Sequence, residues 1–368
     1  MVFRWQRVGS YLKRAGLRGF AAQLMLKGLI MKPLATALAI ASLIALGTQA
    51  AWSQTLKAVK DRGELICGAN GTLAGFGLPD PQGNWVGFDV DFCRAIAAAI
   101  FNDPTKVKFV PLTAANRFTA LQSGEIDVLS RNTTWTMSRD TTLGIDFAAV
   151  NFYDGQGFMV RKALKVSSAL ELNGAAVCVQ QGTTTELNLA DYFRSNNMSL
   201  KTVTFATADE AVKAYDTSRC DAYTTDSSGL YGERLRLNDP SANIVLPEII
   251  SKEPLSPAVR QGDDTWEDLV RWTHYAMVDA EESGVTKSNV DEKLKSANPD
   301  IRRLLGVEGQ FGESIGLTND WAYRIIKFVG NYGESFERNV GQGSPLKIAR
   351  GLNALWTKGG LQYGLPVR

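Results

Sequence analysis

Three features of the 368-residue sequence predict an α/β fold of two lobes joined by a two-stranded hinge. Short apolar strand patterns alternate with helical ones from Glu64 to about Leu246, and they do so in two separate blocks. The chain also runs extended twice, once between the blocks and once after the second. A composition of 45% apolar and 21% charged residues supports a sizeable core, and the length suits two domains better than one.

The first block reads strand 65–69, helix 88–101, strand 107–110, a helix through Phe118, and strand 126–129. This βαβαβ order predicts a mainly parallel sheet with helices on both faces. The second block repeats the style with strand 176–179, helix 183–193, strand 203–205, helix 208–215, strand 221–224 and a helix through Tyr231 and Leu235. Residues 157–162 read as an apolar strand leaving the first lobe, and 245–257 as the extended return, with prolines at 247, 254 and 257. The resulting division is an N-terminal extension with a signal at 1–53, the first part of lobe one at 54–160, lobe two at 161–250, and the return with a helical C-terminal region at 251–368. In that region Trp266, Leu269, Val270, Thr273, Met277 and Ala280 share a helical face, and His274 reads as a structural residue among them. Further helical patterns cover 319–340 and 345–357.

The longest apolar run, Leu34 to Leu46, is too short to span a bilayer. A preceding Lys32 and the small residues at 48–53 match a secretory signal, with Met1 or Met31 as the start. Export gives the even cysteine count a meaning. Cys67 lies on one face of its strand with Leu65 and Ala69, and Cys93 shares a helical stripe with Ile96, Ala97 and Ile100. Cys178 and Cys220 belong to strand-like runs of the second block. Sequential pairing, one bridge per lobe, is therefore expected.

Several functions are excluded. The single histidine rules out metal sites that need two, and no cysteine pair has metal-ligand spacing. Residues 1–53 hold seven bases and no acid; removing those seven from the 40 bases leaves 33 against 38 acids, so the remainder offers nothing to nucleic acid. The run Gly312-Glu313-Ser314-Ile315-Gly316 imitates a nucleophile elbow but lacks the preceding strand and a later histidine. No phosphate-binding loop is present. The sequence thus calls for no cofactor and no metal.

What remains is a set of residues suited to a zwitterion. Ser130 to Asp140 follows a strand, which clusters hydroxyls, backbone amides and Arg139 at a carboxyl end, where open α/β sheets bind ligands. Gln181-Gly182-Thr183-Thr184 opens a helix whose free N–H groups favour an anion. Asp226 stands at the mouth of a third strand and supplies the opposite charge. Arginine grips a planar carboxylate; aspartate holds an ammonium. Phe76 and Trp135 are aromatic candidates for the wall around a ligand side chain, and no second arginine or acid is placed for a charged one.

From about Thr55 to Arg368 the chain resembles the periplasmic general L-amino-acid-binding proteins of ABC transporters, within the polar amino-acid-binding family. The resemblance rests on residues 87–93, Ser130 to Asp140, Gln180 to Thr184, Arg219-Cys220-Asp221-Ala222, and residues 253–260. It implies a type II periplasmic-binding fold. It also implies that Arg139 and amides at Thr134 and Thr184 hold the α-carboxylate, while Asp226 holds the α-ammonium. Asn132 stands where many relatives have a serine beside that ammonium. The implied role is non-enzymatic: a periplasmic monomer that captures L-amino acids of broad variety and delivers them to a membrane permease. The competing readings are a lyase or dehydratase on the same scaffold, and a sensory amino-acid receptor.

Overall fold

The computed structural model describes residues 55–368. The expected signal peptide lies outside them. Two five-stranded sheets organise the chain. The strands are β1 (Leu65–Ala69), β2 (Val107–Pro111), β3 (Val128–Leu129), β4 (Ile145–Phe147), β5 (Phe152–Asp154), β6 (Gln156–Arg161), β7 (Ala176–Gln180), β8 (Lys201–Phe205), β9 (Ala222–Asp226), β10 (Asn243–Val245), β11 (Glu253–Leu255) and β12 (Ala258–Arg260). The first sheet runs β2-β1-β3-β12-β4 and the second β8-β7-β9-β6-β10.

In each sheet four strands run one way, three of them paired in parallel as the alternating pattern requires, and one runs against them. β12 is antiparallel to β3 and β4, and β6 is antiparallel to β9 and β10. The segment read as a strand leaving the first lobe is therefore β6, an interior strand of the second sheet. The passage between sheets comes just before Gln156, where β5 pairs antiparallel with β11 of the return. Because β6 is buried along nearly its whole length, its apolar run carries no alternation that could have revealed its sheet.

The helices that carry functional residues are set by their ends. Gly87 caps the helix α1 (Phe88–Phe101) at φ 137°, and a Cβ there would lie 2.1 Å from the Phe76 carbonyl oxygen, so only glycine permits the close turn. Thr183 caps α2 (Thr184–Ser195) by accepting the Glu186 N–H at 3.2 Å. Thr207 and Glu210 form a capping box on α3 (Ala208–Asp216). Ser227–Arg234 follows β9 directly as α4, and Asp264–Glu282 forms the long α5, packed on α1 and on the C-terminal helices. His274 of α5 is buried, its Nε2 lies 3.1 Å from Gln362 Oε1, and burial pushes its pKa down to about 4, so the ring is neutral and structural.

The pattern at 319–340 resolves into two helices, Trp321–Phe328 and Tyr332–Asn339. The one expected at 345–357 does not form. Lys347 and Gly351 take positive φ, and only the 3-10 turns Gly351–Asn353 and Trp356–Lys358 remain. Leu352 and Trp356 are about half exposed as a result.

Disulfides join Cys67 to Cys93 and Cys178 to Cys220, each within one lobe, across 26 and 42 residues. The first ties β1 to α1 inside the main core. Loop-closure entropy gives each bridge roughly 3 to 4 kcal/mol. The double substitution Cys178→Ser/Cys220→Ser should therefore lower stability in urea unfolding by about that amount; an unchanged midpoint would show that the bridge constrains nothing.

Candidate functional site

The carboxyl ends of β3, β7 and β9 converge on a cavity of about 40 Å³ between the two sheets. Asn70, Arg117, Arg131, Asn132 and Thr134 line it from the first lobe; Thr183, Thr184, Tyr223, Asp226 and Glu233 are among those lining it from the second. Carboxyl-end crevices are where the backbone of an α/β sheet leaves N–H groups and loops free for a ligand. Around the cavity charges of both signs are buried together.

Asp226 ends β9 and begins α4, and only 7% of it is exposed. Burial pushes its carboxyl well up from the usual range. Repulsion from Asp154 and Glu253 adds to that; Arg117 and the Asn132 side chain oppose it. Asn132 takes a positive φ of 31°, a conformation that asparagine tolerates better than most side chains. Its N–H donates to Asp89 at 2.8 Å and its Oδ1 accepts from Asn70 at 3.0 Å. This turn faces the asparagine side chain into the cleft from a rigid base. Asp89 itself is pushed up to about 7 by burial, against the pull of the Asn132 N–H and Arg131.

Thr134 and Thr184 face each other from opposite lobes, their hydroxyls 3.4 Å apart. Thr184 is the first residue of α2, so free amide donors and the positive end of the helix point at the cleft. Thr183 closes the same turn. Arg139 sits beside this pair and not on the cavity wall. Its Nη1 donates to the Thr134 carbonyl at 2.9 Å, and its guanidinium lies 5.2 Å from the Phe118 ring centre. Burial lowers its pKa, while Glu253 and Asp226 counter that effect.

Two arginines that sequence reasoning passed over do line the cavity. Arg117 opens the helix Arg117–Gln122 and is 3% exposed. Its Nε has no partner, and burial together with the like charges of Arg131 and Arg139 drives its pKa well below the ordinary arginine value. Arg131 is anchored through Nε to the Leu112 carbonyl at 2.8 Å, and burial brings its pKa down to about 10. Facing them, Glu233 is held by Arg236 at 2.7 Å, and its carboxyl is raised to about 7 by burial. Two arginines that were not singled out from the sequence thus border the cavity. The missed signal was position: Arg117 and Arg131 both follow strand ends, but each reads in sequence as an ordinary helix or loop charge.

The aromatic candidates lie elsewhere. Phe76 is fully buried in the main core, packed edge-on against Phe88 and Phe152. Trp135 stacks on Phe147 with ring centres 5.6 Å apart, part of the cluster around Leu121 and Ile145. Neither forms cavity wall. Ser314 of the elbow-like run is exposed on a short helical turn and donates to the Phe311 carbonyl. Among the described residues no group of histidine, cysteine and carboxylates could hold a metal ion, and no helix is long and apolar enough to cross a membrane.

Two lobes, a paired hinge and a charged crevice between them define a receptor built to close on a small polar solute. The fold is the type II periplasmic-binding fold. Residues 65–295 match the bacterial extracellular solute-binding proteins, family 3, and the chain belongs to that family. It is 64% identical over 330 residues to the general L-amino acid-binding periplasmic protein AapJ of Rhizobium johnstonii, covering 89% of this chain and 97% of that one. Identity to the glutamate/glutamine/aspartate/asparagine-binding protein BztA of Rhodobacter capsulatus is 57%, over 89% of this chain and 97% of the relative. A solved ABC transporter periplasmic binding protein from Brucella ovis, with glutathione bound, superposes with a TM-score of 0.85 at 63% identity, covering 86% of this chain and all of that one.

The crowding of carboxylates carries a stability cost that can be measured. Asp226 is raised in the folded protein, so its contribution to stability is greatest below its unfolded pKa and is lost as pH rises toward the folded value. Asp226→Asn removes that loss while keeping the shape. The variant should melt higher than the parent at pH 8, with a smaller gain at pH 5. Equal or lower melting at pH 8 would mean that burial and repulsion do not hold this carboxyl above its ordinary range.

Proposed function

We propose that the protein is a periplasmic, non-enzymatic amino-acid receptor. It closes two lobes around an L-amino acid and hands it, as a monomer, to the membrane permease of an ABC transporter. The observation that carries this reading is the pairing, across one buried crevice, of an anion station with a cation station. The first is the amide-rich turn of Thr134 with the α2 start at Thr184 and Arg139 beside them; the second is Asp226 with Asn132. An α-amino acid carries those charges one carbon apart. A periplasmic relative named for L-amino-acid binding and the Brucella ABC transporter periplasmic binding protein support the compartment and the transport partner.

The unpartnered Nε of Arg117 and the neighbouring Arg131 favour a side chain that accepts hydrogen bonds, which agrees with the acidic and amide ligands in the name of the Rhodobacter relative. Leucine-like ligands would leave these arginines desolvated without compensation. A second reading extends the ligand. A further cavity of about 180 Å³, lined by Thr72, Thr113 and Thr207, shares Asn70, Arg131, Gln180 and Ala208 with the first. This continuity, with glutathione in the Brucella neighbour, favours γ-glutamyl peptides as additional ligands.

Calorimetry with L-glutamate, its α-amide and its decarboxylated amine tests the site. Removing either charge of the ligand should weaken binding by roughly 2 to 5 kcal/mol, as should Arg139→Ala or Asp226→Asn with the intact ligand. The α-amide should lose little more on Arg139→Ala. Arg117→Leu should weaken L-glutamate selectively and spare L-alanine. If the α-amide binds wild type as well as L-glutamate does, Arg139 is not the carboxylate grip. Ligand recovered unchanged after long incubation separates the receptor from a lyase.

A further inference from the structure

Glu253 opens the hinge strand β11 and is completely buried. Its carboxylate accepts four hydrogen bonds. Oε2 receives the Thr134 hydroxyl at 2.6 Å and the Thr184 hydroxyl at 2.8 Å; Oε1 receives Asn188 Nδ2 at 2.7 Å and the Ser251 hydroxyl at 2.8 Å. Thr134 belongs to the first lobe, whereas Thr184 and Asn188 stand one turn apart on α2 of the second. One side chain, itself on the strand where the lobes pivot, is thus bonded to both lobes.

No arginine or lysine forms an ion pair with Glu253 among the described residues. A buried carboxylate without a bonded cation is costly unless its oxygens are filled by donors, and here they are. On the first-lobe side the attachment is fixed by backbone. Trp135 N–H donates to the Pro254 carbonyl at 2.8 Å and Ser256 N–H to the Thr133 carbonyl at 3.0 Å, while Thr134 bridges to Leu255. The bonds that can break when the lobes part are therefore those to Thr184 and Asn188. Breaking them exposes the carboxylate to water, which solvates it in the open form.

We propose that Glu253 is a positioning residue that couples lobe closure to assembly of the ligand-carboxylate station. This inference rests on the reading that Thr134 and Thr184 present their amides to the solute. Glu253 grips the hydroxyls of those two threonines, away from the amides, and so sets their separation. The station is complete only in the closed form, and closure is rewarded with hydrogen bonds that exist before any ligand contact. Glu253 does not line the cavity and needs no contact with the solute to act.

The test compares wild type with Glu253→Gln, Asn188→Ala and Thr184→Val. Small-angle scattering on ligand-free protein should show a larger radius of gyration for all three, which probes the latch without assuming any ligand. Stopped-flow dissociation of L-glutamate should be at least tenfold faster for Glu253→Gln, with a smaller acceleration for Asn188→Ala. A residue that serves only packing would lower the melting temperature and leave both readouts in place. Wild-type scattering and dissociation in a folded Glu253→Gln variant overturn the proposal. If that variant does not fold, Asn188→Ala and Thr184→Val decide, and unchanged scattering in both overturns it. A scattering shift together with no L-glutamate binding by wild type upholds the latch and refutes the ligand reading instead.

Discussion

Buried charge in the crevice between the sheets governs much of the rest of the molecule. Asp154, Asp226 and Glu253 repel one another, and Arg117, Arg131 and Arg139 do the same, inside a space from which water is largely removed. Left to folding alone such a cluster is unfavourable, because desolvated charges must be paired and hydrogen-bonded to recover their hydration energy. The protein distributes the cost. Arg131 is tied to a carbonyl, Glu233 to Arg236 and Glu253 to four donors, while Arg117 Nε has no partner and Asp226 is buried among like charges. On the proposed reading, a zwitterion whose ammonium meets Asp226 and whose carboxylate meets the Thr134–Thr184 turn would add the compensation that the fold leaves open.

The scaffold explains how this strain is tolerated. Each lobe has its own sheet, its own apolar cluster and its own disulfide, so each carries a core apart from the crevice. The charged residues come from strand ends, helix starts and the hinge, where the backbone has free donors and where a rigid sheet holds the geometry. The two chain crossings, β5 and β11, form a narrow antiparallel pair that permits lobe rotation while keeping register. Family membership and a relative named for general L-amino-acid binding fit this division of labour between rigid lobes and a charged gap.

Much of this was legible in the residues. The alternation of strands and helices gave two α/β blocks, cysteine placement gave the two bridges, and Asp226, Thr134, Thr183, Thr184 and Asn132 all reach the cavity. Three things were not. β6 is buried on both faces and so has no alternation to distinguish a sheet interior from a connector. Phe76 and Trp135 are aromatic residues near glycines and hydroxyls, but apolar packing claimed both, and a local pattern cannot say which side of a loop faces the core. Arg117, Arg131 and Glu233 meet at the cavity only because the fold brings distant strand ends together, and Glu253 bonds Thr134 and Thr184 at separations of 119 and 69 residues.

The claim that ligand charge completes an otherwise uncompensated crevice is tested most directly by the titration of the Asp226 carboxyl carbon. Carbon-13 NMR would follow it in the free protein and at saturation with L-glutamate, using Asp226→Asn to assign the signal. The account predicts a carboxyl titrating well above the ordinary aspartate range when free and dropping steeply once the ammonium is in place. A carboxyl that titrates at the same pH with and without ligand would contradict it.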